Sequence, residues 1–156
     1  MGLDQYAFSV NPEEWVLYQG DNTYDFDRKE LAYWRKHNRL QSWIEQVWLT
    51  RGHTQEQLTN GDCNCEFIEL SLEDIEKLEE DVITLALPEI PSPNKRLFFG
   101  QDSYSPVSTG IDVADLTVQS IPNPFPYYDY ETDRQFVTDA KVELSKGNII
   151  LYWMWW

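Results

Sequence analysis

Apolar positions recur along this chain with two different periods, and the changes between them predict its elements. From Leu3 to Ser9 the period is close to two. Leu3, Gln5 and Ala7 share one side, with Tyr6, Phe8 and then Val10 on the other, which predicts a first strand. Residues 11–27 carry Asn-Pro, Gly-Asp-Asn and several Asp, and read as a loop with at most one short ordered piece at Trp15-Val16-Leu17-Tyr18. From about Arg28 to Thr50 the spacing changes to three and four. Leu31 and Trp34 lead into Leu40, Ile44, Val47 and Trp48, with Trp43 beside them, which predicts a first long helix. Asp27 is suited to cap it, Glu30 completes a capping box, and Gly52 is a natural stop. The polar residues Arg35, Lys36, Asn38 and Arg39 interrupt the stripe, and Asn38, four residues after Trp34, falls on or near it.

Beyond a polar loop at 54–65, Cys65 to Leu70 reads as a strand with Ile68 and Leu70 on one face. Ser71 and Asp74 form a capping box for a second helix whose buried stripe is Ile75, Leu78, Val82 and Leu85, ended by Pro88, Pro91 and Pro93. Arg96 to Gly100, around Leu97-Phe98-Phe99, predicts an interior strand. A long Pro- and ring-rich loop follows at about 101–130, with a short strand or helix expected within Ile111 to Ile121. Loops of that length in compact domains are commonly functional. A third helix is expected from about Thr132 to Ser145, with Phe136, Val137, Ala140 and Leu144 inward. The chain ends in an apolar strand at 148–156 whose Trp153, Trp155 and Trp156 demand either a central place in a sheet or a groove to line. The predicted architecture is α+β: one domain over 1–156, with a small mixed or antiparallel sheet packed by about three helices.

Composition adds two constraints. A chain of 156 residues suffices for one core without a disulfide or metal. Seven Trp, nine Tyr and seven Phe exceed what such a core requires, so some rings are expected on a surface or in a groove. No apolar run approaches the roughly 18–20 residues of a membrane span, and the first residues lack a signal-peptide pattern. Gly2 also lacks the Ser or Thr at position 6 that myristoylation uses, since that residue is Tyr6. A soluble, cytoplasmic protein is expected.

Charge is unevenly distributed. The net charge is −15, yet within 28–53 Arg28, Lys29, Arg35, Lys36, Arg39 and Arg51 face only Glu30 and Glu45, a net of +4. Within 54–93 eleven acids face Lys77 alone, a net of −10. The basic stretch marks a place where something is bound, inside the molecule or outside it. The overall field repels nucleic acid and anionic lipid. The acidic second helix is either a solvated face or a mimic of a phosphate backbone.

Candidate chemistry is sparse, and no motif requires a cofactor. Cys63 and Cys65, with His53 and His37, could supply a zinc site, but one intervening residue is short of structural ligand spacing. Cys63 or Cys65 paired with His37 as a nucleophile cannot be read from spacing. Asp4 sits inside the first strand and needs a partner if buried; Arg35 is the expected one. That pair either fixes the fold or, with Lys36, Asn38 and Trp34, forms a polar pocket rimmed by rings, where Arg35 could grip a phosphate or carboxylate.

Taken in order, several pieces resemble one family. They are Met1-Gly2-Leu3-Asp4, Tyr33-Trp34-Arg35-Lys36 with Asn38, Cys65 before Ser71, Phe98-Phe99-Gly100, Tyr127-Tyr128-Asp129-Tyr130 and the terminal Trp156. Small proteins encoded by phages and prophages share this series across nearly their whole length. That family has no established activity. Some members carry a phosphoglycerate kinase label, which these residues do not support, because there is no Gly-rich phosphate loop and the chain is too short for a two-domain kinase. Two features depart from the family: a longer Pro-rich insertion between Phe99 and Tyr127, and a tail without Ser. The basic segment, the acidic second helix and the excess of aromatic rings point to the expected role, a non-enzymatic phage accessory protein of the host cytoplasm that binds a host macromolecule and modulates or inhibits it. The expected contact residues are Asp4, Tyr33, Trp34, Arg35, Lys36, Asn38, Arg39, Phe99, Tyr127, Tyr128 and Tyr130, with no direct nucleic-acid or membrane partner. A small-molecule binder or enzyme built around Trp34, Arg35 and Asn38 is the alternative, and an acidic nucleic-acid mimic a lesser one.

Overall fold

The computed structural model describes residues 2–84 and 130–156. Four strands and five helices are mixed along them in an α+β arrangement. Strand β1 (Asp4–Val10) is followed by helix α1 (Pro12–Gly20), strand β2 (Arg28–Arg35), helix α2 (Asn38–Thr50) and helix α3 (Gln55–Asn60). Then come strand β3 (Ile68–Leu70), helix α4 (Leu72–Ile83), helix α5 (Tyr130–Ser145) and strand β4 (Ile149–Trp155). The sheet runs β2-β1-β4-β3, and every neighbouring pair is antiparallel. The expected strand at 96–100 and the loop at 101–129 lie outside the described residues, and Tyr130, expected in that loop, instead opens α5.

The largest departure from expectation is at 28–50, where one helix was predicted and a strand plus a shorter helix stand. Residues 28–35 pair with β1 from Val10↔Arg28 to Asp4↔Arg35, with a register shift between Ala7 and Phe8. Ala32 and Trp34 are buried while Tyr33 and Arg35 are exposed, a period of two. Lys36, at φ 59, breaks the strand, and its N–H donates to the Leu3 carbonyl at 2.8 Å. His37, not Asp27, caps α2, its Nδ1 accepting from Leu40 N–H at 3.4 Å. The helical spacing of Leu31 and Trp34 is real, but pairing with a distant strand overrides it.

Two expected loops contain short helices with legible caps. Asn11 accepts from Glu13 N–H at 2.9 Å, with Pro12 in the first turn of α1. Thr54 and Gln57 form a capping box on α3, which Gly61 closes at φ 83. The expected strand from Cys65 shortens to three residues because Cys65 takes a left-handed φ of 63. The Ser71–Asp74 capping box stands as expected, and α4 ends at Ile83 with Thr84 as its C-cap, while Leu85, Pro88, Pro91 and Pro93 lie outside the described residues.

The main core lies where α2, α4 and α5 cover one face of the sheet. Leu3, Ala7, Trp34, Ile150, Tyr152 and Met154 meet Leu40, Ile44, Trp48, Ile75, Leu78, Phe136 and Ala140 there. On the opposite face, α1 and Phe26 close a smaller cluster of Val10, Trp15, Phe26 and Leu151, flanked by Phe8, Tyr18 and Phe67. The last strand takes the first of the places expected for it: β4 is central, while Trp153 and Trp155 point to the second face of the sheet rather than into a groove among the described residues.

A saturated carboxylate ties α5 to the sheet. Glu143 accepts from Lys146 at 2.8 Å, Asn148 at 2.7 Å, Lys29 at 3.1 Å and Ser9 at 3.0 Å. These bonds, Lys146 first, hold its carboxyl at about 2, below the ordinary 4.5. A depressed folded value means that the stabilisation is complete above the ordinary value and disappears as pH falls from about 4.5 toward 2. Urea unfolding of the native protein and Glu143→Gln is therefore expected to show a gap of about 1–3 kcal/mol at neutral pH. That gap closes across the acid window.

Candidate functional site

The pleat of β2 divides the residues that the sequence groups together. Trp34 is 1% exposed and points into the main core, whereas the Arg35 side chain is 66% exposed on the other face. Trp34, Arg35 and Asn38 therefore do not form one pocket. Asn38 and Arg39 are buried in the first turn of α2. Lys36 is half-buried, and its stem passes so close to Gly2 that a Cβ there would lie 3.1 Å from Lys36 Cε.

On the core side, Trp34 joins a chain of polar groups that the sequence reading missed. Trp34 Nε1–H donates to Asp133 Oδ1 at 2.8 Å, and His37 Nε2 meets Asp133 Oδ2 at 2.9 Å. Because His37 Nδ1 accepts from the helix, Nε2 carries the proton toward Asp133. Gln5 bridges onward, accepting from His37 N–H at 2.9 Å and donating to the His37 carbonyl at 3.1 Å and the Tyr152 hydroxyl at 2.7 Å. Tyr152 donates to Gln41 Oε1 at 3.2 Å, and Gln41 donates to Glu45 at 3.1 Å. Burial keeps the Tyr152 phenol protonated well above its ordinary range. This chain joins β1, β2, β4, α2 and α5 through matched donors and acceptors, and it specifies their register. Asn38 Oδ1 is the exception nearby, buried without a hydrogen-bond partner among the described residues. Two signals could have found the chain: Gln5 shares the parity of Leu3 and Ala7, and Asp133 lies three residues before Phe136 on the inward stripe of α5.

The opposite face carries the excess rings in cross-strand rows. Tyr33, Tyr6 and Trp153 are register partners, with centroids 5.0 Å apart for Tyr6–Tyr33 and 5.7 Å for Tyr6–Trp153. The next row is Arg35, Asp4 and Trp155. Helix α1 covers the Val10 end of this face, but Tyr33 is 44% and Trp155 49% exposed at the other end. The expected Asp4–Arg35 pair is present but loose, at 3.9 Å, and Asp4 is only half-buried. The tighter partner is Tyr33, whose hydroxyl donates to Asp4 Oδ1 at 2.7 Å. That hydrogen bond, with desolvation second, pushes the Tyr33 phenol up to about 12.

Much of the basic cluster is engaged inside the molecule. Arg28 lies over the rings of Phe8, Phe26 and Phe67, Lys29 reaches Glu143, and Arg51 pairs with Asp74. The acidic helix is partly engaged too: Asp81 accepts from Trp43 and Lys77, and Glu79 pairs with Lys141, while Glu73, Glu76 and Glu80 are exposed. A shallow groove of about 540 Å³ between α2 and α4 is lined by Trp43, Val47, Arg51, Asp74 and Lys77, among others.

The thiol candidates do not converge. Cys63 is buried, and burial pushes its thiol up to about 12, the reverse of an activated nucleophile. His53 stacks on Trp48 with centroids 3.8 Å apart, and His37 is committed to Asp133. Among the described residues no three His, Cys, Asp or Glu side chains gather to hold a metal ion. A thiol-alkylating reagent on the native protein is expected to modify the exposed Cys65 and spare Cys63 until unfolding, read by peptide mass spectrometry.

Phe99, Tyr127 and Tyr128 lie outside the described residues, and Tyr130 stands at the start of α5 beneath the Arg134 guanidinium. No helix among the described residues is long and apolar enough to cross a membrane. No protein-family model matches the sequence, and no curated protein or solved structure matches it.

Proposed function

We propose that this chain is a binding protein that engages a host protein through the open aromatic half of its sheet. This is the accessory role in the host cytoplasm expected from the basic segment, the acidic helix and the excess of aromatic rings. One observation carries the reading. The Tyr33–Tyr6–Trp153 row and its neighbour Trp155 stand partly open on a sheet whose other half is already closed by α1. Large rings left at a surface beside a few polar groups are the composition of interface centres. Asp4, Tyr33 and Arg35 supply those polar groups, joined in one hydrogen-bonded and ionic cluster.

The test is affinity capture from host lysate with tagged wild-type protein and Trp155→Ala. A stoichiometric protein retained by the wild type and lost with Trp155→Ala is the expected result. A partner captured equally by both, or no partner, contradicts the reading.

A further inference from the structure

Resting on that reading, the occupant's chemistry follows from the covered half of the same face. There Arg28 places its guanidinium 4.8 Å from the Phe26 ring centre, 5.2 Å from Phe8 and 5.9 Å from Phe67. The fold thus already uses this face to hold a guanidinium on rings. The open half offers the same kind of platform in Tyr33, Tyr6 and Trp153, with Trp155 beside it, and adds a carboxylate. The contacts that Asp4 makes through its side chain among the described residues fall on Oδ1, which leaves Oδ2 to accept from a newcomer.

Charge selects among occupants. A chain of net charge −15 repels a second copy of itself and the phosphates of a nucleic acid, although bases could stack on such rings, and it attracts a cationic segment. Ring faces likewise favour a cation. Arginine fits better than lysine because its planar guanidinium can stack on a ring and donate in the same plane to a carboxylate.

We propose that the open half of the sheet docks an arginine-bearing basic segment of the partner, its guanidinium lying on the Tyr33, Tyr6 and Trp153 rings and donating to Asp4. Arg35, loosely held 3.9 Å from Asp4, is the internal cation that this guest competes with.

The full chain is titrated with hexa-arginine, hexalysine and neutral hexacitrulline at physiological salt, following tryptophan fluorescence. Hexa-arginine is expected to bind about tenfold more tightly than hexalysine and about tenfold more weakly to Trp155→Ala, which keeps the net charge. Arg35→Gln is expected to tighten binding severalfold, where an anionic guest would be weakened. Tyr33→Ala serves as the second variant, with thermal unfolding to confirm that each variant is folded. Equal binding to wild type and both ring variants would reduce the effect to general electrostatics and overturn the proposal. Preferential binding of an oligothymidylate, or self-association abolished by Trp155→Ala, would also overturn it. If the lysate partner depends on Trp155 but hexa-arginine does not displace it, the face stands and the guanidinium assignment falls. If no partner depends on Trp155, the binding reading itself falls.

Discussion

Replacing Asp133 by Ala is expected to cost about 3–5 kcal/mol, a large part of the stability of an ordinary domain. Asp133 is 1% exposed and accepts from two donors, Trp34 Nε1 and His37 Nε2, that are themselves buried. Removing it strands both donors away from bulk solvent, and each stranded group costs about 1–3 kcal/mol. The cavity left between α5 and β2 adds to the loss. The chain of bonds through Gln5 to Tyr152 and Gln41 also loses its anchor, so strand register and the start of α2 are weakened together. Asp133→Asn keeps one acceptor in place and is expected to lose less than the Ala variant. Urea unfolding followed by far-ultraviolet circular dichroism checks both. Loss of under 1 kcal/mol for Asp133→Ala would mean that the network is not a support of the fold.

The second large effect contrasts two tryptophans that look alike in sequence. Trp34→Ala is expected to destabilise the protein by about 3–5 kcal/mol, because a fully enclosed indole is removed and Asp133 loses a donor. Its ring meets Phe136 edge-on at 5.2 Å and lies near Tyr152, so the space left cannot collapse without moving α5. Trp155→Ala removes a ring that is 49% exposed at the end of β4 and is expected to cost less than about 1 kcal/mol. The two variants should therefore fail in opposite assays: Trp34→Ala in unfolding, Trp155→Ala in partner capture. Matching denaturation midpoints for the two variants would contradict the division of the sheet into a structural face and an exposed one.

That division explains why part of this molecule was legible in the sequence and part was not. Features set by near neighbours were readable. The Ser71–Asp74 box starts α4, the inward stripe of Phe136, Val137 and Ala140 marks α5, and the apolar run of β4 demands a central place. The strand β2 was not readable locally, because Leu31 and Trp34 also fit a helix and Asp27 with Glu30 imitates its start. What decides the matter is pairing with β1, from Val10↔Arg28 to Asp4↔Arg35, 18 to 31 residues back in the chain. The error carried over to the site. On a helix, Trp34 and Asn38, four residues apart, share a face, whereas on a strand Trp34 points opposite to Tyr33 and Arg35. Thus the Asp4–Arg35 pair is legible, the Tyr33 bond to Asp4 is not, and Trp34 and Asn38 belong elsewhere. The roles of Gln5, Asp133 and Glu143 are not legible, because polar residues on a buried stripe are understood only once their partners, up to 147 residues away, are known.

Hydroxyl-radical footprinting of the captured complex tests the central claim most directly. The open aromatic face predicts that Tyr33 and Trp155, with Tyr6 and Trp153 beside them, are oxidised more slowly when the partner is bound, while Leu72 and the groove between α2 and α4 are unchanged. Protection confined to that groove or to the outer surface of α4, with Tyr33 and Trp155 reacting as in the free protein, would contradict it.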